Sequence, residues 1–222
     1  MSEFIDTLEF EFKKHSNIKI ALGQKAYMRN QFEFYGIKTP IRTSIQKPFF
    51  IKQYRPEKSV LEQTIRTLWQ KPEREYQYFS QELAFKYATG FEEKDIELLE
   101  YMVSHKSWWD TVDFIANKLM GSYFITYPEK KLQYIQKWIS SDNIWLQRSA
   151  LLFQLKYKKE IDTHLLEIAI HPLLNSKEFF INKAIGWILR EYSKTNPNWV
   201  IDFVNKTSLN SLSKKEALRL IR

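Results

Sequence analysis

Residues 132–153 read LQYIQKWISSDNIWLQRSALLF, and this stretch decides the fold. Its apolar residues Leu132, Ile135 and Ile139 recur at intervals of three and four, which is the period of an amphipathic helix. The polar segment SSDN then interrupts the pattern, and a second segment rich in large apolar side chains follows. The stretch therefore predicts two helices joined by a short break, which is the unit of a helical repeat protein.

The same unit recurs along the chain. Each first apolar segment ends close to one large residue, and these residues lie 34, 35 and 35 positions apart: Trp69, Val103, Trp138 and Leu173. A polar break follows each of them, in the order QKPER, SHKS, SSDN and NSKE. Two-helix units at this period are typical of an α-solenoid of the HEAT, armadillo or TPR kind.

We therefore predict an all-α fold, an α-solenoid of HEAT-like two-helix repeats with a concave basic face. The chain is expected to form a single domain over residues 1–222. Residues 1–57 are predicted to form less regular N-terminal helices, and residues 58–222 the repeats of about 35 residues.

Composition excludes several classes of protein. The 222 residues include no cysteine, which excludes disulfides, thiol catalysis and zinc–thiolate sites. The five glycines and seven prolines are too few for a turn-rich β fold, and no glycine-rich phosphate loop is present. The four histidines lack ligand spacing, so we expect no metal and no cofactor. The acidic N-terminus and the lack of a long apolar segment predict a cytoplasmic protein without a membrane span.

The chain is basic and aromatic. Its net charge is +8, and aromatic residues make up 16% of it, including seven tryptophans. Cations pair with phosphates while rings stack on bases, so the combination points toward a nucleic acid. Composition alone leaves open an anionic membrane, another acidic partner, or a cationic protein whose tryptophans fill the core.

Tryptophans and charged residues are concentrated in the predicted second helices, which a solenoid aligns on one surface. In SWWDTVD, which begins at Ser107, Trp109 and Asp113 lie four positions apart and so share a helix face. One helix cannot turn both Trp108 and Trp109 inward. The alternative interpretation has Ser107 or Asp110 at the helix N-terminus and Asp113 as a solvated surface acid.

A second candidate feature is a row of charged residues at equivalent positions of successive repeats. Asp113, Arg148 and Lys183 lie 35 residues apart and so occupy equivalent positions. Arg148 has the chemistry to bind a phosphate through two hydrogen bonds. It is equally consistent with an ion pair to an acid of the neighbouring repeat, such as Asp113.

A third candidate feature is KAIGWILREY. Trp187 lies four residues after Lys183 and three before Arg190, so all three share one helix face. Gly186 lacks a side chain and so permits close approach of another backbone or a ligand. The alternative for Trp187 is a place in the core.

Several longer stretches resemble one known family. They are AYMRNQFEFYGIKTPIR, KSWWDTVD, SDNIWLQRSA, LFQLKYK, NSKEFFINKAIGWILREYSKTNP and LSKKEA. These stretches resemble the bacterial AlkD-type DNA glycosylases, which belong to the HEAT-like-repeat family of DNA alkylation repair enzymes. The similarity extends from about residue 5 to the last residue.

The resemblance implies a monomeric enzyme that excises positively charged N3- and N7-alkylated purines, such as 3-methyladenine and 7-methylguanine, from duplex DNA without flipping the base. Asp113 would be the catalytic carboxylate. Trp109 and Trp187 would flank the deoxyribose of the lesion, and Tyr27 would lie beside the damaged base pair. The DNA backbone would be contacted by three cations: Arg148, Lys183 and Arg190. The protein would associate with the nucleoid when bound to DNA.

Two other functions remain compatible with the sequence. One is a non-catalytic relative that binds distorted or branched DNA. The other is a protein-interaction scaffold, a common use of extended repeat surfaces. A lone carboxylate accompanied by Trp109, Trp187 and Arg148 disfavours both, because neither binding function has an evident use for it.

Overall fold

The computed structural model describes residues 2–221, without the side chain of Ser2. Met1 and Arg222, the two ends of the predicted domain, lie outside the described residues. Within the described range the chain is all-α, as predicted, and its only β-type pairing is an isolated bridge between Glu33 and Glu73. None of the helices there combines the length and the apolar character that crossing a membrane requires.

The chain divides into two compact units, Met1–Gly90 and Phe91–Arg222, and the single-domain description stays a prediction. The first unit contains α1 (Ser2–Lys14), α2 (Ile18–Tyr27), α3 (Thr39–Gln46), α4 (Lys58–Gln70) and α5 (Arg74–Phe85). The second contains α6 (Asp95–Ser104), α7 (Trp109–Phe114), α8 (Gly121–Thr126), α9 (Lys131–Ile139), α10 (Ile144–Leu152), α11 (Thr163–Ile170), α12 (Phe179–Ser193), α13 (Pro197–Lys206) and α14 (Ser211–Ala217).

The helices follow the predicted repeat. The four polar breaks fall between α4 and α5, α6 and α7, α9 and α10, and α11 and α12. The residues that mark the period are all buried: Trp69, Val103, Trp138 and Leu173. A further pair, α13 and α14, extends the pattern toward the C-terminus. The prediction of an α-solenoid of two-helix repeats is therefore confirmed.

Polar residues in the breaks explain where several helices begin. The Asn143 carboxamide oxygen accepts hydrogen bonds from the backbone N–H groups of Trp145, at 2.9 Å, and Leu146, at 3.3 Å, and so caps α10. Helix α7 differs from the prediction, because neither Ser107 nor Asp110 caps it. The Ser107 hydroxyl instead donates back to the carbonyl of residue 103, at the end of α6.

The core of the second unit is built from large side chains of successive repeats. The Phe124 ring lies against the rings of Trp138 and Phe153, with centroids 5.8 Å and 4.9 Å away. The Trp138 indole N–H is satisfied by the Glu100 carboxylate. Leu132, predicted to belong to the apolar stripe of α9, is exposed in the first turn, and the buried face of α9 runs through Ile135 and Trp138. Packing therefore follows the repeat, but Leu132 does not belong to the buried stripe of α9.

A tight loop in the first unit generates a stability prediction. Gly36 has φ +85°, and an added Cβ would clash with the Asn17 carbonyl and lie 2.6 Å from the Ala21 nitrogen. We therefore expect Gly36→Ala to lower the free energy of unfolding by more than about 2 kcal/mol, as measured by urea denaturation. Gly23→Ala is the matched control, because Gly23 lies within α2 with open space around it. The control is expected to stabilise by up to about 1 kcal/mol, and equal stability of the two variants would contradict the loop geometry.

Candidate active site

The carboxylate of Asp113 lies at an irregular point of its helix. Helix α7 ends at Phe114 and continues as a π-helical segment, Ile115–Met120, before α8. The Asn117 carboxamide donates to the Asp113 carbonyl within this transition. A π-helical segment shifts the angular positions of the residues that follow it, and such segments are frequent at functional sites.

Asp113 forms a two-point ion pair with Arg148 of the next repeat. Arg148 Nε donates to Asp113 Oδ1 at 2.7 Å, and Nη2 donates to Oδ2 at 2.9 Å. The Arg148 side chain is 5% exposed and that of Asp113 is 15% exposed, so the pair is largely withdrawn from water. The sequence left a phosphate contact and an inter-repeat ion pair open for Arg148. The structure has the ion pair.

Arg148 is also held by a residue of the following repeat, Phe180 of α12. Arg148 Nη1 donates to the backbone carbonyl of Phe180 at the start of α12. The Phe180 ring also packs against Trp108 and Trp145, with centroid distances of 5.3 Å and 4.9 Å. Side chains of α7, α10 and α12 thus meet at one place. The Trp108 indole nitrogen is buried there and has no hydrogen-bond partner among the described residues.

The environment of Asp113 perturbs its ionisation. Burial raises the pKa of the Asp113 carboxyl above its ordinary value, because the charged form loses water. The hydrogen bonds and charge of Arg148 oppose this effect, and the nearby charge of Asp110 adds to it. The ionised form of Asp113 therefore depends on Arg148. A perturbed carboxyl beside a specific partner is typical of a functional site.

Trp109 is the second of the two adjacent tryptophans of the SWWDTVD segment. It is partly buried and begins α7, one helical turn before Asp113. Trp108 precedes the helix and joins the aromatic cluster with Trp145 and Phe180, so of the two adjacent tryptophans only Trp109 belongs to α7. Trp109 and Asp113 are therefore placed on one helix face, as a shared ligand requires.

Trp187, Lys183 and Arg190 lie on one face of α12, as predicted. Trp187 is partly buried and is not a full member of the core. Both cations are engaged by Glu216 of α14: Lys183 Nζ lies 2.7 Å from Glu216 Oε2, and Arg190 pairs with Oε1. The backbone role predicted for Lys183 and Arg190 stays a prediction.

Tyr27 belongs to the first unit. It is the last residue of α2, and 71% of it is exposed. An exposed aromatic ring has the chemistry to pack against a base or sugar. Its place beside a damaged base pair stays a prediction.

The sequence did not identify Asn117, Phe180 or Glu216 as parts of the site. The Asn117 side chain donates to the backbone carbonyl of Asp113, and Phe180 accepts through its own backbone carbonyl, so both contacts involve backbone groups that no motif reports. Glu216 lies 33 residues after Lys183, two positions short of the repeat period, so it does not occupy a position equivalent to Lys183. Among the described residues, histidine and acidic side chains form no group of three suited to a metal ion.

The fold and the site define a class: a helical-repeat protein with a buried carboxylate–arginine pair and tryptophans on its second helices. The sequence model of the DNA alkylation repair enzymes matches residues 8–221, and the chain belongs to this family. It is similar to a solved structure described as a predicted DNA alkylation repair enzyme from Enterococcus faecalis. That similarity has a TM-score of 0.87 and 35% sequence identity, over 93% of this chain and 97% of the other. No curated protein matches the chain.

The ion pair at the site generates a second stability prediction. Arg148→Met removes three hydrogen bonds and leaves the Asp113 carboxylate buried without its partner. We expect the free energy of unfolding, measured by urea denaturation, to fall by about 3–5 kcal/mol. Lys194→Met is the control: it breaks an exposed pair with Glu191 and should cost about 0.5 kcal/mol or less.

A double variant separates the lost ion pair from lost packing. Asp113→Asn together with Arg148→Met leaves no unpaired charge, so the double variant is expected to be more stable than Arg148→Met alone. A double variant that loses the sum of the two single effects would show that the side chains act independently, against the geometry described.

Proposed function

We propose that the protein is a monofunctional DNA glycosylase that excises positively charged N3- and N7-alkylated purines from duplex DNA. The observation that carries this proposal is the Asp113 carboxylate, which a buried arginine of the next repeat fixes through two hydrogen bonds on a helix that also carries Trp109. Membership of the DNA alkylation repair enzymes supports alkylated DNA as the substrate class. The protein acts as a monomer in the cytoplasm, associated with the nucleoid when it binds DNA, and needs no cofactor.

The chemistry of the lesion explains why one carboxylate suffices. An alkyl group on N3 or N7 places a positive charge on the purine, so the base leaves as a neutral molecule without being protonated. As the N-glycosidic bond breaks, positive charge moves to the sugar. A fixed carboxylate stabilises that developing charge more than the ground state, which is the condition for catalysis. Deleting an electrostatic group of this kind costs about 3–4 kcal/mol of transition-state stabilisation.

Asp113 also has the geometry to position the attacking water. Each of its oxygens accepts one hydrogen bond from Arg148, and a carboxylate oxygen can accept more than one. The remaining lone pairs are directed away from Arg148 and can receive the hydrogen of a water molecule. Asp113 thus serves as the electrostatic stabiliser and as the group that orients the nucleophile.

The tryptophans contribute to recognition of a cationic sugar. The face of an indole ring attracts a cation, with a free energy of about 0.5–2 kcal/mol. Trp109 shares a helix face with Asp113, and Trp187 lies on α12, the helix whose first turn supports Arg148. Recognition without base flipping, which the proposal includes, leaves the base outside a closed pocket and predicts tolerance of bulky adducts.

The DNA backbone is bound by the cations of the second helices. Arg148 uses three of its five N–H donors on Asp113 and Phe180, so two remain for a phosphate. Lys183 and Arg190 each pair with Glu216 and would add phosphate contacts from α12 through the N–H donors that this pairing leaves unused. Binding through phosphates weakens strongly as salt rises, since bound counterions are released.

Base release tests the proposal directly. A duplex with a single 7-methylguanine is incubated with wild type and with Asp113→Asn at matched DNA occupancy. We expect wild type to release the free base and the variant to be slower by about a hundredfold or more. Asp202→Asn, which removes an exposed acid of α13, is the control and should match wild type. A wild-type protein that binds the duplex but releases neither 7-methylguanine nor 3-methyladenine would refute the glycosylase. It would favour the non-catalytic protein that binds distorted or branched DNA.

The ionisation of Asp113 predicts the pH dependence. The carboxylate must be ionised to stabilise the sugar cation, so the rate of base release falls as pH falls through the pKa of Asp113. Arg148 lowers that pKa against the effect of burial. Arg148→Gln is therefore expected to move the acidic limb of the pH–rate profile to higher pH, as measured by single-turnover release corrected for spontaneous loss. Lys194→Gln should leave the limb in place. An unshifted limb in Arg148→Gln would contradict the electrostatic role of Arg148.

A further inference from the structure

The last helix of the described chain packs closely against the helix that carries Trp187. An added Cβ on Gly186 of α12 would lie 2.9 Å from the backbone carbonyl oxygen of Ser213 in α14, so only glycine permits this approach. The buried Ser213 hydroxyl donates to the Asn182 carbonyl of α12 at 2.8 Å. The two helices are therefore joined at Gly186, the neighbour of Trp187, by backbone contact, and one turn earlier, at Asn182, by a hydrogen bond.

Glu216 is the charged centre of this contact. Its side chain is 9% exposed, and its two oxygens are divided between two cations of α12. Oε2 lies 2.7 Å from Lys183 Nζ, while Oε1 pairs with Arg190 and lies 3.9 Å from Arg219. These ion pairs fix the position of the nearly buried carboxylate, and the carboxylate in turn fixes the side chains of Lys183 and Arg190.

These partners lie on either side of Trp187. Lys183 precedes it by four residues and Arg190 follows it by three, so the two cations lie one helical turn away in each direction. Glu216 spans this interval on the face of α12 that includes Gly186. Together with the close approach at Gly186, the two ion pairs hold the stretch of α12 that carries Trp187 against α14.

The charge of Glu216 also matters for a cationic lesion. Two uncompensated cations near Trp187 would repel the positively charged base and the sugar cation, and the low polarity of a partly buried site strengthens that repulsion. With Glu216 in place, the side chains of Lys183 and Arg190 are neutralised and directed toward α14.

We propose that Glu216 is a positioning residue of the active site, which fixes Trp187 and keeps Lys183 and Arg190 from opposing the reaction of a cationic lesion. The inference rests on the proposed function, because it assigns Trp187 to the sugar of the lesion. It adds a residue outside the repeat register and gives α14 a role in activity.

Glu216→Gln tests the proposal, since the amide keeps the shape of the side chain and removes its charge. We expect the single-turnover rate of 7-methylguanine release at saturating enzyme to fall about tenfold or more. The affinity for undamaged duplex should be equal or higher, because Glu216 no longer offsets the positive charges of Lys183 and Arg190. Glu191→Gln is the matched control: Glu191 also lies on α12 and pairs with Lys156 and Lys194, and its loss should leave the rate unchanged. A rate unchanged in Glu216→Gln, or equally reduced in the control, would overturn the proposal.

A second measurement does not depend on activity. In protein labelled with 5-fluorotryptophan, the fluorine signal of Trp187 is assigned by its loss in Trp187→Phe. We expect Glu216→Gln to shift or broaden this signal and Glu191→Gln to leave it unchanged. A wild type that releases no base would refute the glycosylase while the fluorine signal still tests the positioning. A Trp187 signal unchanged in Glu216→Gln would refute the positioning while leaving the glycosylase intact.

A conservative variant keeps the test valid if Glu216→Gln does not fold. Glu216→Asp retains the charge on a side chain shorter by one methylene. If both variants fold, Glu216→Asp is expected to lose less of the base-release rate than Glu216→Gln. If only Glu216→Asp folds, it is expected to displace the Trp187 fluorine signal and to keep the wild-type salt dependence of DNA binding. A wild-type Trp187 signal in Glu216→Asp together with an unchanged rate would overturn the proposal.

Discussion

The buried ion pair between Asp113 and Arg148 is the constraint on which the site depends. A carboxylate withdrawn from water is unstable as an ion unless a partner compensates for the lost hydration. Arg148 supplies two hydrogen bonds and is itself fixed by the Phe180 carbonyl of the following repeat. Three successive repeats thus cooperate to keep one negative charge at a defined place. The same charge is what a glycosidic bond that breaks toward a sugar cation requires.

Charge pairing between neighbouring repeats is used more than once in the second unit. Glu100 of α6 pairs with Lys137 of α9 and accepts the indole N–H of Trp138. Glu216 of α14 pairs with Lys183 of α12. Each pair joins elements about one repeat apart in sequence, so the stack is held by aligned charges as well as by apolar packing. The Asp113–Arg148 pair differs in its burial and its two-point geometry, which suit it to function.

The sequence predicted much of this architecture, because the features concerned depend on local pattern. The breaks between helices, the burial of the residues that mark the period, and the shared face of Trp109 and Asp113 all follow from helical spacing. The π-helical segment Ile115–Met120 was not predictable, since a local change in the backbone hydrogen-bond pattern has no distinct signal in the residue types. The contacts of Phe180 and Glu216 depend on how whole helices approach, as at Gly186, and sequence spacing does not determine that approach.

The affinity for an analogue of the sugar cation tests the central claim most directly. A duplex is prepared in which a pyrrolidinium ring, positively charged, replaces the deoxyribose of the lesion, together with a duplex that carries an uncharged tetrahydrofuran at the same position. If Asp113 stabilises the developing cation, wild type should bind the charged analogue about a hundredfold or more tightly than the uncharged one, and Asp113→Asn should lose the preference. Equal affinity of wild type for the two duplexes, or a preference that Asp113→Asn retains, would contradict the account.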